Sequence, residues 1–303
     1  MNRRATSLSP IDEMRTHGKT YVEVSPELSD FTLRGSDVAK AFAYRQAMRA
    51  YLLLMAPYAS LNGKPPEGDI YFLGHHKCAT HWIRWFLFHL APYVQCGYAV
   101  ERGRAFADFT SWRPSPTMVL NVNADVQVLE SLPASARAFH LVRDPRDALV
   151  SEYFSRKKSH AVWSPWHREM RAYLNEHDMD DGLIYLMDQH IYFMQMEGWR
   201  LGEDERVLDV RYEDLLRDPF EGFSEILRHL RMSVSDKILR KVIDRCSFER
   251  LSGGRTRGSE DSGHHYRKGV AGDWVNYMPR EGEVYTQFLR RFGSLMENLG
   301  YEV

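Results

Sequence analysis

Four short apolar runs punctuate the chain: Ile70–Leu73, Met118–Val122, Ala138–Val142 and Val207–Tyr212. Each is too brief for a helix and is flanked by polar or turn-forming residues, so each predicts a buried strand. Between and after them the apolar period changes to that of a helix. Trp82–Leu90 is apolar nearly all round, as a helix packed against a sheet is. Leu183, Leu186, Met187, His190, Ile191 and Met194 make one face of a second helix, and Phe220, Phe223, Leu227 and Leu230 one of a third. Ile238, Leu239, Val242 and Ile243 recur at helical spacing, as do Val284, Phe288, Leu289, Phe292, Leu295 and Met296. Asp144-Pro145 and Asp218-Pro219 each supply a cap and a proline at the first helical position, with Asp147 and Glu221 favourable to the helix dipole. Strands alternating with helices predict a single α/β domain, a parallel sheet flanked by helices on both faces.

That pattern occupies residues 69–303. Residues 1–68 differ: a polar, proline-spotted arm, then a helix expected from Ser36 with Val38, Phe42, Tyr51, Leu52 and Met55 inward, then the loop Asn62–Gly68. Two later stretches lack periodicity. Ser252–Tyr266 is polar and glycine-rich, the composition of a functional lid or a disordered segment. The stretch from Arg156 to Asp181, with His160, Trp163, Trp166, His167 and His177, is expected to be a loop. It either lines an acceptor pocket or packs on the surface.

Charge narrows the function classes. Forty Lys and Arg balance forty-one Asp and Glu, so no basic excess points to nucleic acid or an anionic membrane. Three scattered cysteines make no disulfide framework and predict reduced thiols. The N-terminus has two arginines but no apolar stretch behind them, and no run is long enough to span a bilayer. Those features predict a cytoplasmic protein without a membrane span.

The chemistry concentrates in two segments that each follow a predicted strand and open a predicted helix: Gly74-His-His-Lys-Cys-Ala-Thr-His-Trp82 and Arg143-Asp-Pro-Arg-Asp-Ala-Leu-Val-Ser151. A helix N-terminus after a strand offers free amide hydrogens to an anion. Two such places, each with cations and hydroxyls, predict a ligand with two phosphate-like ends. The first is no Walker A motif, since the G-x-x-x-x-G-K-[ST] order is absent and Lys77 comes early. His75, His76 and Cys78, and separately His264 and His265, supply no complete metal-ligand set, so no metal is assigned.

At these residues the chain resembles the sulfotransferases that use 3′-phosphoadenosine-5′-phosphosulfate (PAPS), including the cytosolic ones. Their first signature is roughly P-K-S-G-T-T-W; here it reads His76-Lys-Cys-Ala-Thr-His-Trp82. The second, R-[DN]-P-[RK]-D-x-x-x-S-x-Y, reads Arg143-Asp-Pro-Arg-Asp-Ala-Leu-Val-Ser-Glu-Tyr153. The third, R-K-G-x-x-G-D-W, reads Arg267-Lys-Gly-Val-Ala-Gly-Asp-Trp274, and Tyr212-Glu-Asp-Leu215 matches a lesser feature. The resemblance runs from about residue 69 to the C-terminus.

The resemblance implies a three-layer α/β/α fold like that of the P-loop NTPases. It implies transfer of a sulfuryl group from PAPS to a hydroxyl, or an amine, of a small-molecule or glycan acceptor, leaving 3′-phosphoadenosine-5′-phosphate (PAP). Lys77 would stabilise charge on the leaving oxygen. Residues Cys78, Ala79, Thr80 and His81 would hold the 5′-phosphate, and Trp82 would pack against adenine. Arg143 and Ser151 would bind the 3′-phosphate, with Arg267, Lys268 and the Gly269 amide closing over it; Tyr212 and Phe248 match positions near adenine. Cys78, Ala79 and His81 replace the family's serine, glycine and threonine. Many cytosolic members place a basic histidine just after the strand ending here near Val122. This chain has Asn123 there, leaving Asp125 as the candidate base, with His81 and the histidines of the 156–181 stretch as alternatives. Rival readings are a degenerate homologue that binds nucleotide without turnover, another nucleotide-dependent phosphotransferase, and an interaction protein built on the same fold.

Overall fold

The computed structural model of the chain describes residues 63–101, 116–160, 162, 164–189, 193 and 195–303. The expected helix from Ser36 and the positions Trp163, His190, Ile191 and Met194 lie outside them. The described strands are β1 (Gly63–Lys64), β2 (Ile70–Gly74), β3 (Gly97–Glu101), β4 (Thr117–Asn121), β5 (Arg137–Val142), β6 (Val207–Arg211) and β7 (Ser233–Val234). Five of them form one parallel sheet in the order β3-β4-β2-β5-β6, while β1 and β7 pair antiparallel beside it. Register is set by β2: Phe72 lies opposite Leu120 of β4 and Phe139 of β5. Four of the five sheet strands are those the apolar runs predict; β3, paired to β4 from Gly97↔Thr117 to Glu101↔Asn121, is additional.

The alternation of side chains along a strand divides the core. On one face Ile70, Phe72, Phe139 and Leu141 pack with helices α1 (Thr80–Leu90), α7 (Pro219–His229) and α8 (Asp236–Arg245). On the other, Leu73, Ala138 and Val142 pack with α3 (Pro145–Phe154), α4 (Pro165–Glu176), α5 (Met179–Gln189) and α10 (Glu283–Asn298). The short helices α2 (Val128–Ser131), α6 (Tyr212–Arg217) and α9 (Phe248–Leu251) complete the described set. Phe86 of α1 stacks on Phe223 of α7 at 3.6 Å between centroids, locking the two helices of the first layer. Such a pair adds about 0.5–1.5 kcal/mol beyond its buried area. Among the described residues no helix is long and apolar enough to cross a membrane.

Two stretches without a period are ordered. Most of the 156–181 segment is helical, not a loop: α3 runs into a π-turn at Ser155–Ser159, and α4 follows. Ser164 caps α4 by accepting from the His167 amide, Pro165 takes the first helical position, and Met170 and Leu174 face the core. The polar 252–272 segment carries no helix or strand, yet it folds back on itself. The Gly258 amide donates to the Lys268 carbonyl at 2.9 Å and the Asp261 amide to that of Arg267 at 3.0 Å. The guanidinium of Arg255 donates to the carbonyls of Ser259, Tyr266 and Arg267.

Candidate functional site

The loop from β2 to α1 is tightly wound. Lys77 and Ala79 both adopt left-handed backbone, at φ 63° and 54°. Such a conformation costs a residue with a Cβ about 1–2 kcal/mol, so the loop holds strain at the entrance to α1. Ala79 occupies the cap position, and no side chain accepts from the first turn of the helix. An eleven-residue helix thus opens onto this loop with its amide hydrogens available to an anion.

Lys77 sits among charges. Burial lowers its ammonium to about 8; Glu152 opposes that shift, while Arg156, Arg143 and Arg267 add to it. The second signature supplies one of these cations. One guanidinium nitrogen of Arg143, at the end of β5, donates to the Lys77 carbonyl at 3.2 Å, and the other reaches the Val270 carbonyl at 3.5 Å. The same guanidinium lies over the Tyr212 ring, 4.8 Å from its centroid, and the Tyr212 ring meets Trp82 edge-on at 6.3 Å. Its Nε is buried with no hydrogen-bond partner among the described residues.

Asp147, on the first turn of α3, anchors the third signature. Its two oxygens accept from the amides of Gly272 at 2.7 Å and Trp274 at 2.9 Å. Gly269, at φ +68°, lies flat on Phe248, and any Cβ there would collide with that ring. Arg267 and Lys268 are both held by Asp273, Lys268 at 2.6 Å; Arg267 also pairs with Glu260 and lies over the Phe154 ring.

Beside Lys77 lies a narrow cleft lined by His76, Lys77, Glu152, Trp166, Gln189 and Phe193 among others. Its wall is mostly apolar side chains of α3, α4 and α5, with Leu149, Met170 and Leu186 at the back. Two groups stand out in it. Nε2 of His76 is 2.7 Å from one oxygen of Glu152, and Arg156 Nε donates to the other. Burial works to raise the Glu152 carboxyl, but His76, Arg156 and Lys77 together hold it well below the usual carboxylate range. Burial lowers His76, against the pull of Glu152, and the Lys77 and Arg156 charges add to the lowering. The arrangement consistent with both is an ionised Glu152 accepting from a neutral His76.

Lys77, Ala79, Thr80, Trp82, Arg143, Tyr212, Phe248 and Gly269 thus gather around the β2–α1 loop and the 267–272 segment. Several expected residues do not join them as foreseen. The thiol of Cys78 is fully buried in the core, its pKa pushed up to about 12 by that burial, and its amide donates to the His75 carbonyl. Neither atom is left for a ligand. Ser151 is half-buried about 9 Å along α3 from its first residue, and no hydrogen bond joins it to Arg143. His81 is exposed, with its ring 4.0 Å from that of His265. Asp125 is exposed and its carboxylate accepts from the Gln127 amide at 3.0 Å, capping the turn that leads into α2. That corrects its expected place as base: the carboxylate serves its own turn and does not line the cavity. The His76–Glu152 pair was missed by sequence reasoning. The signals were a histidine directly before the loop lysine and an i,i+4 Glu152–Arg156 pair inside the second signature.

Comparison with known proteins shows what this chain is similar to. A family model described as "Sulfotransferase domain" matches residues 121–300. Human sulfotransferase 1C2 is 22% identical over 193 residues, 59% of this chain and 62% of that protein. The 3-alpha-hydroxysteroid sulfotransferase of Cavia porcellus is 28% identical over 153 residues, 48% of this chain and 51% of that protein. The matches therefore span about half to three-fifths of these relatives. The fold is shared with mouse sulfotransferase SULT7A1 complexed with PAP, at 19% identity and TM-score 0.51, over 78% of this chain and 86% of that one. It is shared also with retinol dehydratase in complex with androsterone and PAP, at 14% identity and TM-score 0.50, over 78% and 82%. With its three signature segments meeting at Arg143 and more than half its length matched by the family model, the chain belongs to the sulfotransferase domain family.

Proposed function

We propose that this protein transfers a sulfuryl group from PAPS to a hydroxyl or amine of a small-molecule or glycan acceptor. One observation carries the reading. The Arg143 guanidinium touches the Lys77 loop, the 267–272 segment and the Tyr212 ring at once, while its buried Nε has no partner. A cation with an unsatisfied donor at the meeting of three loops suits a multiply charged nucleotide. The uncapped α1 N-terminus beside Lys77 suits the nucleotide's other charged end.

Sulfuryl transfer, like phosphoryl transfer, relies on positioning and electrostatics more than on covalent chemistry by the protein. In this reading Lys77 and the amides at Thr80 and His81 hold the 5′ end and meet the charge that develops on the leaving oxygen. Arg143 and Ser151 take the 3′-phosphate, with Arg267, Lys268 and the Gly269 amide above it once the Asp273 pairs rearrange. Trp82, Tyr212 and Phe248 frame the base. The acceptor enters the apolar cavity beside Lys77. Three buried, unpaired thiols suit a cytoplasmic setting for the reaction.

Calorimetric titration with PAP tests the reading. Expected is saturable binding that raises the melting midpoint and is weakened at least tenfold by Lys77→Ala. No binding of PAP, or equal protection by ATP, overturns it. Binding without turnover over a broad panel of phenols, alcohols and amines assigns the chain instead to the non-catalytic nucleotide binders.

A further inference from the structure

We propose that Glu213 positions Arg143 for the nucleotide's 3′-phosphate, and that Tyr301, in the C-terminal turn, holds Glu213 in that role. The proposal deepens the sulfuryl-transfer reading and rests on it.

The first argument is the place where β5 and β6 part. Their last paired positions are Val142 and Arg211. Arg143 and Tyr212 come next on each side, where the strands give way to α3 and α6. The Arg143 guanidinium lies over the Tyr212 ring, so its place depends on the spacing of two chains that the sheet no longer ties. Glu213 supplies the tie. One of its oxygens accepts from the amide of Asp144, the residue after Arg143, at 3.0 Å. A single carboxylate thereby joins the backbone beside the cation to the helix that begins with the aromatic platform under it.

The second argument is what holds the carboxylate. Its other oxygen accepts from the Tyr301 hydroxyl at 2.9 Å. Tyr301 arrives there because α10 ends in a tight turn. Gly300 takes left-handed backbone at φ +67°, and the Tyr301 amide donates back to the Met296 carbonyl at 2.8 Å. Arg211, the last residue of β6, seats that turn. Its guanidinium donates to the Leu299 and Gly300 carbonyls and lies over the Tyr301 ring, 5.0 Å from the centroid. A Cβ on Gly300 would collide with the same guanidinium.

The ionisation of both partners suits these roles. Burial raises the Glu213 carboxyl, while the Asp144 amide, its own backbone, Tyr301 and the Arg143 charge oppose that rise. Burial raises the Tyr301 phenol and Glu213 raises it further, so the hydroxyl keeps its proton and stays a donor. The other anchors of Arg143 are weaker in aim. Asp147 lies 3.6 Å away and spends its oxygens on the Gly272 and Trp274 amides. The Lys77 and Val270 carbonyls accept at 3.2 and 3.5 Å. As a negative charge, Glu213 disfavours any anion bound at Arg143, so what it contributes to the phosphate is placement. A guanidinium grips a phosphate through directed bonds, and a small displacement loses much of that grip.

Calorimetric titration of the full chain with PAP and with adenosine 5′-phosphate, which lacks the 3′-phosphate, tests the proposal. Glu213→Ala is expected to weaken PAP about tenfold or more and adenosine 5′-phosphate less than about threefold. Glu213→Gln can rebuild both bonds, its amide oxygen accepting from Asp144 and its amide hydrogens donating to the Tyr301 oxygen. It is expected to restore the preference for PAP to within about threefold of wild type. Tyr301→Phe removes one hydroxyl at the C-terminal turn and is expected to lower the preference by an intermediate factor; it decides the matter should Glu213→Ala not fold. An unchanged preference in Glu213→Ala, or equal weakening of the two nucleotides, overturns the proposal. Tighter PAP binding by Glu213→Ala and Glu213→Gln alike also overturns it, since charge and not placement would then be the effect. An unchanged preference in Tyr301→Phe overturns the part given to Tyr301. Wild-type protein that binds no PAP overturns the sulfuryl-transfer reading and this proposal with it, and that failure is told apart by appearing before any substitution is made.

Discussion

Nε2 of His75 lies 2.7 Å from Nε2 of His140, with both rings wholly buried at the point where β2 and β5 pair. His140 Nδ1 in turn lies 2.7 Å from Asp209 of β6, and Trp199 stacks on the His140 ring at 4.0 Å. An ionised Asp209 accepts from His140 Nδ1–H, which leaves His140 Nε2 to accept from His75 Nε2–H. Both imidazoles are therefore neutral. Burial lowers each of them, with His140 adding to the lowering at His75 and Asp209 opposing it at His140. Folded values below unfolded ones mean that the unfolded chain binds the extra protons. Stability is then complete above the ordinary histidine value of 6.5 and is lost as pH falls below it. Urea midpoints are expected to fall steeply as pH drops from 6.5 to 5. In His140→Leu, Asp209 and His75 lose their shared partner. That variant is expected to be about 1–3 kcal/mol less stable at pH 7.5 and to have a shallower acid slope.

The left-handed backbone at Ala79 makes a second prediction. A glycine there adopts φ 54° without steric cost, whereas alanine does not. Ala79→Gly is expected to raise unfolding stability by about 1 kcal/mol, the steric relief exceeding the entropy added to the unfolded chain. Chemical denaturation measures it, and a variant less stable than the parent would mean that the loop is not strained at this residue.

How far the sequence could be read follows from what each signal reports. Ile70–Leu73 and Ala138–Val142 were legible as strands because both faces of a central parallel strand are buried, so nearly every position is apolar. Gly97–Glu101 was not, because a five-residue edge strand with glycine first carries little of that signal. The helix Pro165–Glu176 was hidden by its composition. Only Met170 and Leu174 are buried on it, and the preceding Trp166 and His167 obscured the period although Ser164-Pro165 marked its start. Lys77 and Arg143 stand out in the sequence because each sits in a local strand-to-helix motif, and the structure brings them together, the Arg143 guanidinium donating to the Lys77 carbonyl. The His76–Glu152 pair joins positions 76 residues apart, and no local spacing encodes such a contact. Asp125 was misread for the converse reason: an Asp after a strand is more often a turn cap than a base.

On the sulfuryl-transfer reading, Lys77 is expected to set the pH dependence of nucleotide affinity. Burial brings its ammonium down to about 8; Glu152 opposes that shift, and Arg156, Arg143 and Arg267 add to it. A bound dianion favours the protonated form and raises that value. Protein that has lost the proton must regain it to bind, so affinity is highest below about 8 and falls as pH rises through it. PAP titrations are expected to give a constant Kd from pH 6.5 to 7.5 and a Kd that rises up to tenfold per pH unit above 8. Proton uptake near pH 8 is expected when buffers of different ionisation enthalpy are compared. Lys77→Met is expected to bind more weakly and to lose both effects.

Asp147 ties the third signature to the second, and its loss separates folding of the segment from chemistry. Its oxygens accept from the Gly272 and Trp274 amides, and one lies 3.6 Å from the Arg143 guanidinium. It is 1% exposed, so water does not replace those bonds when the carboxylate is removed. Asp147→Ala leaves the buried Trp274 amide, the Gly272 amide and one cation without their acceptor, a loss of about 2–4 kcal/mol. Asp147→Asn keeps one acceptor and is expected to lose roughly half as much. Because Arg255 and the Gly258 and Asp261 amides hold the 255–268 turn together internally, that turn is expected to loosen as a unit. Limited trypsin digestion of Asp147→Ala should therefore cut first at Arg255, Arg257, Arg267 or Lys268, with the remaining fragments resistant. Cleavage spread evenly over the chain would mean that Asp147 supports the whole fold and not this segment.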